Sequence, residues 1–157
     1  TAVMLAGCAK AGAVVANTSA QNADLLYQYG INLGIAFQLK DDLLDIYADY
    51  EIFGKSKGVD IQGNKKTYLY LRTLQDASAE DRDTLLHLFS DPSIPVDEKC
   101  DQTIQIYNQY HAKEKTEIAL KSFVAKALQN LDDLKDVNQD IKEEFVVLTN
   151  KLTDRDK

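Results

Sequence analysis

The chain has 157 residues, 45% of them hydrophobic and 27% charged, which suits one domain or a large piece of one, with an ordinary buried core. Its formal net charge is −7 and it carries no basic tract, which argues against a nucleic-acid surface, where phosphates are met by clustered lysines and arginines. An acidic protein can still hold a phosphate ligand, provided a cation stands between the two.

Thr1 opens directly into helix-period sequence with no capping or turn residues before it, so the chain is expected to be a fragment. No signal peptide is expected. Val3, Leu5, Ala6, Ala9, Ala13 and Val14 form a stripe of small and apolar residues that predicts a closely packed helix. Cys8 and Cys100 lie far apart and outside any CxxC pattern, which points to reduced thiols, a cytoplasmic setting, and burial or half-burial of both side chains. Asn17-Thr18-Ser19 then breaks the first helix and caps the next.

From about 20 to 48 the apolar positions Ala23, Leu26, Tyr27, Gly30, Leu33, Gly34, Phe37 and Leu44 recur at spacings of three and four. The pattern predicts one long helix, apolar on most sides, at the centre of a bundle. Its most apolar stretch, 25–39, is too short and too polar to span a bilayer. Periodicity fails over 49–66, where Gly54, Gly58 and Gly63 alternate with lysines, and a loop is expected. Helices resume over about 67–75, 79–89, 96–110, 113–130 and 139–148, with Ser78 and Asp81 resembling a capping box and Asp91-Pro92 marking a turn. Runs of alternating β-branched residues are absent, so the fold class is all-α.

The chemistry is concentrated in Phe37-Gln38-Leu39-Lys40-Asp41-Asp42-Leu43-Leu44-Asp45. Asp41 and Asp45 are one turn apart, about 6 Å along the axis, and Gln38, Asp41, Asp42 and Asp45 share a stripe. Aspartate is a poor helix former, and like charges at this spacing cost a few tenths of a kcal/mol per pair. A divalent cation would compensate. Mg²⁺ takes one or two carboxylates together with substrate phosphates and keeps several waters. The loop supplies the other half of such a clamp: Lys55, Lys57, Lys65 and Lys66 offer charge to a phosphate, and the glycines let backbone approach it. A second acidic string, Asp132-Asp133-Leu134-Lys135-Asp136, has no such loop after it and reads as a solvated helix end. His87, His111 and the tyrosines Tyr47, Tyr50, Tyr68 and Tyr70 read as surface or packing residues.

The succession FQLKDDLLD, GKSKGVD and NKKT resembles the second aspartate-rich motif, and the GK-x-x-G-x-D and K-x-T segments after it, of trans-type polyprenyl diphosphate synthases. The resemblance extends over essentially the whole chain, residues 1–157, which it makes the C-terminal half of one catalytic domain. It implies a partial helical bundle of the isoprenoid-synthase type, without the N-terminal helices. The activity implied is head-to-tail condensation of isopentenyl diphosphate with an allylic diphosphate, through Mg²⁺-dependent ionisation. By the same resemblance Asp41, Asp42 and Asp45 are metal-site acids, Asp41 foremost, and Asp60 is an outer-shell acid. Lys55 and Lys65 match diphosphate-binding lysines, Gln38 faces the reacting centre, and Thr1 matches the threonine of a Lys-Thr pair. A homodimer is the family's expected assembly. The first aspartate-rich motif and the isopentenyl diphosphate site have no counterpart here, so this chain alone is expected to be inactive. A terpene cyclase or squalene-synthase-like enzyme, and a non-catalytic subunit of the same fold, are the alternatives.

Overall fold

A computed structural model describes residues 1–48 and 58–153. Among them the secondary structure is helical throughout: α1 (Ala2–Val15), α2 (Ala20–Tyr47), α3 (Val59–Gln62), α4 (Tyr68–Asp76), α5 (Ala79–Ser90), α6 (Val96–Gln109), α7 (Ala112–Asp132) and α8 (Gln139–Thr153). The long helix over 20–48 is present. Of the loop predicted over 49–66, residues 49–57 lie outside the described residues, while 59–62 form α3, a single turn whose cap comes from a side chain distant in sequence and therefore invisible to local pattern. No helix among the described residues is long and apolar enough to cross a membrane.

The described residues divide into two compact units, 1–40 with 119–153 and 41–48 with 58–118, so that α2 and α7 each contribute to both. In the first unit the core is Tyr29, Leu33, Ala127, Leu131 and Leu134, with Leu25, Leu26, Phe145 and Leu152 packed around it. The ring of Tyr29 meets Phe145 edge-on at 5.4 Å, while its hydroxyl reaches Thr149 Oγ1 at 3.0 Å, so the buried polar tip is satisfied. Asn22 ties the start of α2 to the segment that follows α7: its amide donates to the Lys135 carbonyl at 2.8 Å and its carbonyl accepts from the Lys135 N–H at 3.2 Å. Ser19 caps α2 as expected, accepting from the Asn22 N–H at 3.1 Å. The small-residue stripe of α1 is used narrowly. Ala6 and Ala13 are buried, whereas Val3, Val14 and Cys8 are exposed, so the expected burial of Cys8 does not hold.

In the second unit α3, α4 and α5 all pack against α6. Ile61, Leu69, Leu85 and Tyr107 are almost wholly buried there. The capping box at α5 forms by half. Ser78 Oγ accepts from the Asp81 N–H at 3.1 Å, but aspartate is one methylene shorter than glutamate and does not return the bond. The Ser78 N–H instead donates to the Tyr110 hydroxyl at 3.0 Å, and that hydroxyl donates to Asp81 Oδ2 at 2.6 Å. Cys100 is buried, as expected.

Candidate functional site

The C-terminal end of α2 brings three carboxylates into the second unit in three different environments. Asp41 is exposed, Asp42 is only 4% exposed, and Asp45 is half-buried. A buried carboxylate is costly unless it is paired. Asp42 is paired: Lys65 Nζ donates to its Oδ1 at 2.9 Å and to Asp60 Oδ2 at 2.7 Å. Burial pulls the Lys65 ammonium toward a lower pKa, but its bonds to Asp60 and Asp42, and their charges, overcome this and raise it above the ordinary lysine value. Lys65 is therefore a permanent cation between two acids, with its side chain still 43% exposed. An ammonium has three N–H donors, and two are accounted for by Asp42 and Asp60.

Asp45 serves a different purpose. Its Oδ1 accepts from the Val59 N–H at 3.1 Å and its Oδ2 from the Asp60 N–H at 2.9 Å, and its own carbonyl accepts from the Gly58 N–H at 2.9 Å. The side chain thus caps α3 from 14 residues away. Burial raises the Asp45 pKa, and the nearby charge of Asp60 adds to this, against the two backbone N–H bonds and the Lys65 charge, which lower it. Gly58 enters this turn at φ 72°, in the left-handed region, and a Cβ there would stand 3.3 Å from Cys100 Sγ. Glycine meets both demands.

The floor of the site is α6. Lys99 is 6% exposed, donates to Asn64 Oδ1, and holds its ammonium 5.0 Å over the Phe89 ring. Burial lowers its pKa. Two turns along the same helix Tyr107 is fully buried and hydrogen-bonded to the Thr67 side chain, with its pKa raised by burial. Lys99 and Tyr107 have no place among the residues singled out from the sequence, and Asn64 enters there only as part of the NKKT string. The available signal was the spacing of Lys99, Thr103 and Tyr107, four apart on one face of α6, where polar residues share a stripe that is otherwise core.

Of the expected site residues, the second unit brings Asp42, Asp45, Asp60 and Lys65 into one bonded group, with Asp41 on the same helical end. Gln38, half-buried on α2, and Thr1 belong to the first unit. Thr1 is exposed, and its carbonyl accepts from the Leu5 N–H at 3.1 Å while its side chain makes no capping bond. Lys55 lies outside the described residues, as do Lys57 and Tyr50. His87 and His111 are exposed, and Tyr70 stacks on Phe89 at 4.3 Å, in keeping with surface and packing roles. Asp132, Asp133 and Asp136 are exposed at the end of α7, a solvated terminus.

Among the described residues no group of three or more His, Cys, Asp or Glu could hold a metal unaided. Mg²⁺ does not require one, since phosphates and waters fill most of its shell. The donor set fits that ion in this limited sense: Asp41 presents hard oxygens at the surface, and Asp42 and Asp45 are held behind it by Lys65 and by backbone.

A family model described as polyprenyl synthetase matches residues 1–110. A short chain isoprenyl diphosphate synthase of Methanothermobacter thermautotrophicus is 32% identical over 157 residues, which are 99% of this chain and 46% of that protein. A crystal structure of a geranylgeranyl pyrophosphate synthase superposes with a TM-score of 0.84 at 32% identity, over 99% of this chain and 48% of that one. Another, from Corynebacterium glutamicum and complexed with isoprenyl diphosphate and magnesium, gives 0.77 at 32% identity over 92% of this chain and 40% of that one. The chain spans about half the length of the relatives it matches.

Proposed function

The chain belongs to the polyprenyl synthetase family, and on that premise we propose that the protein carrying it is a prenyltransferase that condenses isopentenyl diphosphate with an allylic diphosphate, head to tail. Residues 1–157 are then the C-terminal half of one catalytic domain, a reading supported by the share of its relatives that the chain spans. The observation that carries the functional reading is Lys65 bonded to both Asp42 and Asp60, beside an exposed Asp41. That arrangement offers an anionic ligand one fixed cation and one exposed carboxylate for a metal ion, which is what a diphosphate needs on an acidic surface.

In this reading Asp41 is the direct ligand of Mg²⁺, and Asp42, Asp45 and Asp60 stand behind it. A relative solved with isoprenyl diphosphate and magnesium supports the choice of ion. Mg²⁺, when bound, neutralises charge that builds on the departing diphosphate. The residues of the chain do the rest. Lys65 directs its remaining N–H toward a diphosphate oxygen, a charge-assisted hydrogen bond that strengthens as negative charge grows there. Lys55 adds a second cation. Asp45, by capping α3, holds Asp60 and through it the ammonium of Lys65. Gln38 and Thr1, by the family resemblance, take part in the same reaction. Isopentenyl diphosphate attacks the allylic carbon, the C–O bond to diphosphate breaks, and the proton lost from the new chain leaves with the released diphosphate. A cytoplasmic homodimer completes the proposal.

Asp41 is exposed, so replacing it tests chemistry more than folding. Asp41→Ala in the full-length protein is expected to lower condensation turnover by roughly a hundredfold or more, with an unchanged melting temperature. Turnover close to that of the parent protein would refute the assignment.

A further inference from the structure

Taking an ammonium out of water is costly unless a carboxylate or several acceptors meet it. Lys99 departs from that rule. It is 6% exposed on α6, its Nζ meets one neutral amide oxygen on Asn64 and the face of Phe89, and among the described residues no carboxylate pairs with it. Methionine would fill similar space with no charge to desolvate. The charge is used, and what it touches indicates how.

Asn64 is the residue immediately before Lys65, and it sits at φ 55°, a left-handed conformation that a residue other than glycine adopts at some cost. Such a turn needs an external hold. Lys99 grips it from one side through the Asn64 amide oxygen. On the other side Thr67 is bonded by Tyr107, which is fully buried two turns further along the same helix. Within the turn the Lys65 N–H donates to the Asp60 carbonyl at 2.9 Å, and the Lys65 carbonyl accepts from the Thr67 N–H at 3.0 Å. One face of α6 therefore clamps the chain just before and just after Lys65.

We propose that Lys99 is a positioning residue: its buried ammonium fixes Asn64, and so sets the turn that delivers Lys65 to Asp42, Asp60 and a bound diphosphate. The inference rests on the reading of Lys65 as a diphosphate ligand. It assigns to Lys99 an effect on ligand affinity that passes through Lys65, beyond any contribution to folding.

A double-mutant cycle on the full-length protein separates the two roles. The readout is the affinity for inorganic diphosphate in the presence of Mg²⁺, measured by calorimetry. Lys99→Met is expected to weaken binding roughly tenfold in the parent protein and by less than about twofold when Lys65 is already methionine, a non-additivity typical of residues in one network. Should Lys99→Met fold poorly, the link can be cut at its exposed end. Asn64→Gly keeps the left-handed backbone at no steric cost and is expected to show the same tenfold loss. Asn64→Asp, which tolerates that backbone and still accepts from Lys99, is expected to bind within about twofold of the parent. The proposal is overturned if Lys65→Met weakens binding while Lys99→Met and Asn64→Gly leave it unchanged, or if the Lys99→Met loss is equal in both backgrounds. If Lys65→Met itself leaves diphosphate affinity unchanged, the functional reading of Lys65 fails, and the role of Lys99 falls with it.

Discussion

Asp41, Asp42 and Asp45 are chemically identical and lie within five positions of one helix, yet each ends in a different role. Asp42 is buried against the Lys65 ammonium, Asp45 caps α3 with both carboxylate oxygens, and Asp41 stays at the surface. The sequence makes the cluster legible, because three acids on an apolar rod demand compensation. It leaves the division of labour illegible, because that depends on partners 14 to 23 residues away. Lys65 is the partner that decides most. A lysine whose folded pKa lies above the unfolded one contributes stability that is complete below the ordinary value of 10.5 and is lost only as pH rises through the higher folded value. The stability gap between the parent protein and Lys65→Met is therefore expected to be constant from about pH 6 to about pH 9. Its size should be about 1–3 kcal/mol, reduced from that of a fully buried pair because the side chain is 43% exposed. Urea unfolding at several pH values measures it, and a gap that closes between neutral pH and about pH 9 would mean that Asp42 and Asp60 do not hold the ammonium as described.

At the scale of elements, glycine decides how closely helices meet. A Cβ on Gly30 of α2 would stand 2.4 Å from the Ala6 Cα of α1, and one on Gly34 would stand 2.4 Å from the Ala2 Cα. The obstacle is backbone, which cannot rotate away. Alanine exceeds glycine by about 1 kcal/mol in helix propensity, but the clash opposes and outweighs it. Gly30→Ala is expected to destabilise the protein by about 1–3 kcal/mol. Gly7→Ala on α1, where nothing lies within 4 Å of the new Cβ, is expected to stabilise it by up to about 1 kcal/mol. Thermal unfolding of the two variants gives opposite signs if the contact is as tight as described, and the same sign if it is not. The spacing of Gly30 and Gly34 marked this face of α2 in the sequence, while the partner surface, Ala2 and Ala6, emerged only from packing. Short elements were harder to read. A four-residue helix such as α3 has no period of its own, and its existence depends on Gly58 and on the carboxylate of Asp45.

At the scale of the molecule, charge sets the terms of ligand binding. A chain of net charge −7 that holds a diphosphate must place cations between like charges, and Lys65 is already engaged by two acids. On the proposed function, a divalent metal would answer to the whole electrostatic field as much as to one site. Chelating Mg²⁺ from the full-length protein is expected to weaken diphosphate binding by roughly a hundredfold or more, as read by calorimetry. Binding that persists in excess chelator would contradict this account. The division into two units gives the long helix α2 a double duty: one part belongs to the Tyr29–Leu33 core, and its end carries the carboxylates.

The sequence alone determined the all-α class, the order of the long helices, and the pairing of an acidic helix end with a lysine-bearing loop. All of these rest on periodicity and local chemistry, which are properties of neighbouring residues. Only the tertiary structure decided that Asp45 caps α3, that Asp42 and Asp60 share the Lys65 ammonium, and that α6 supports the turn carrying it through Lys99 and Tyr107. The reason is physical. Those choices are fixed by burial and by hydrogen-bond partners brought together from separate parts of the chain, and neither exists until the helices pack.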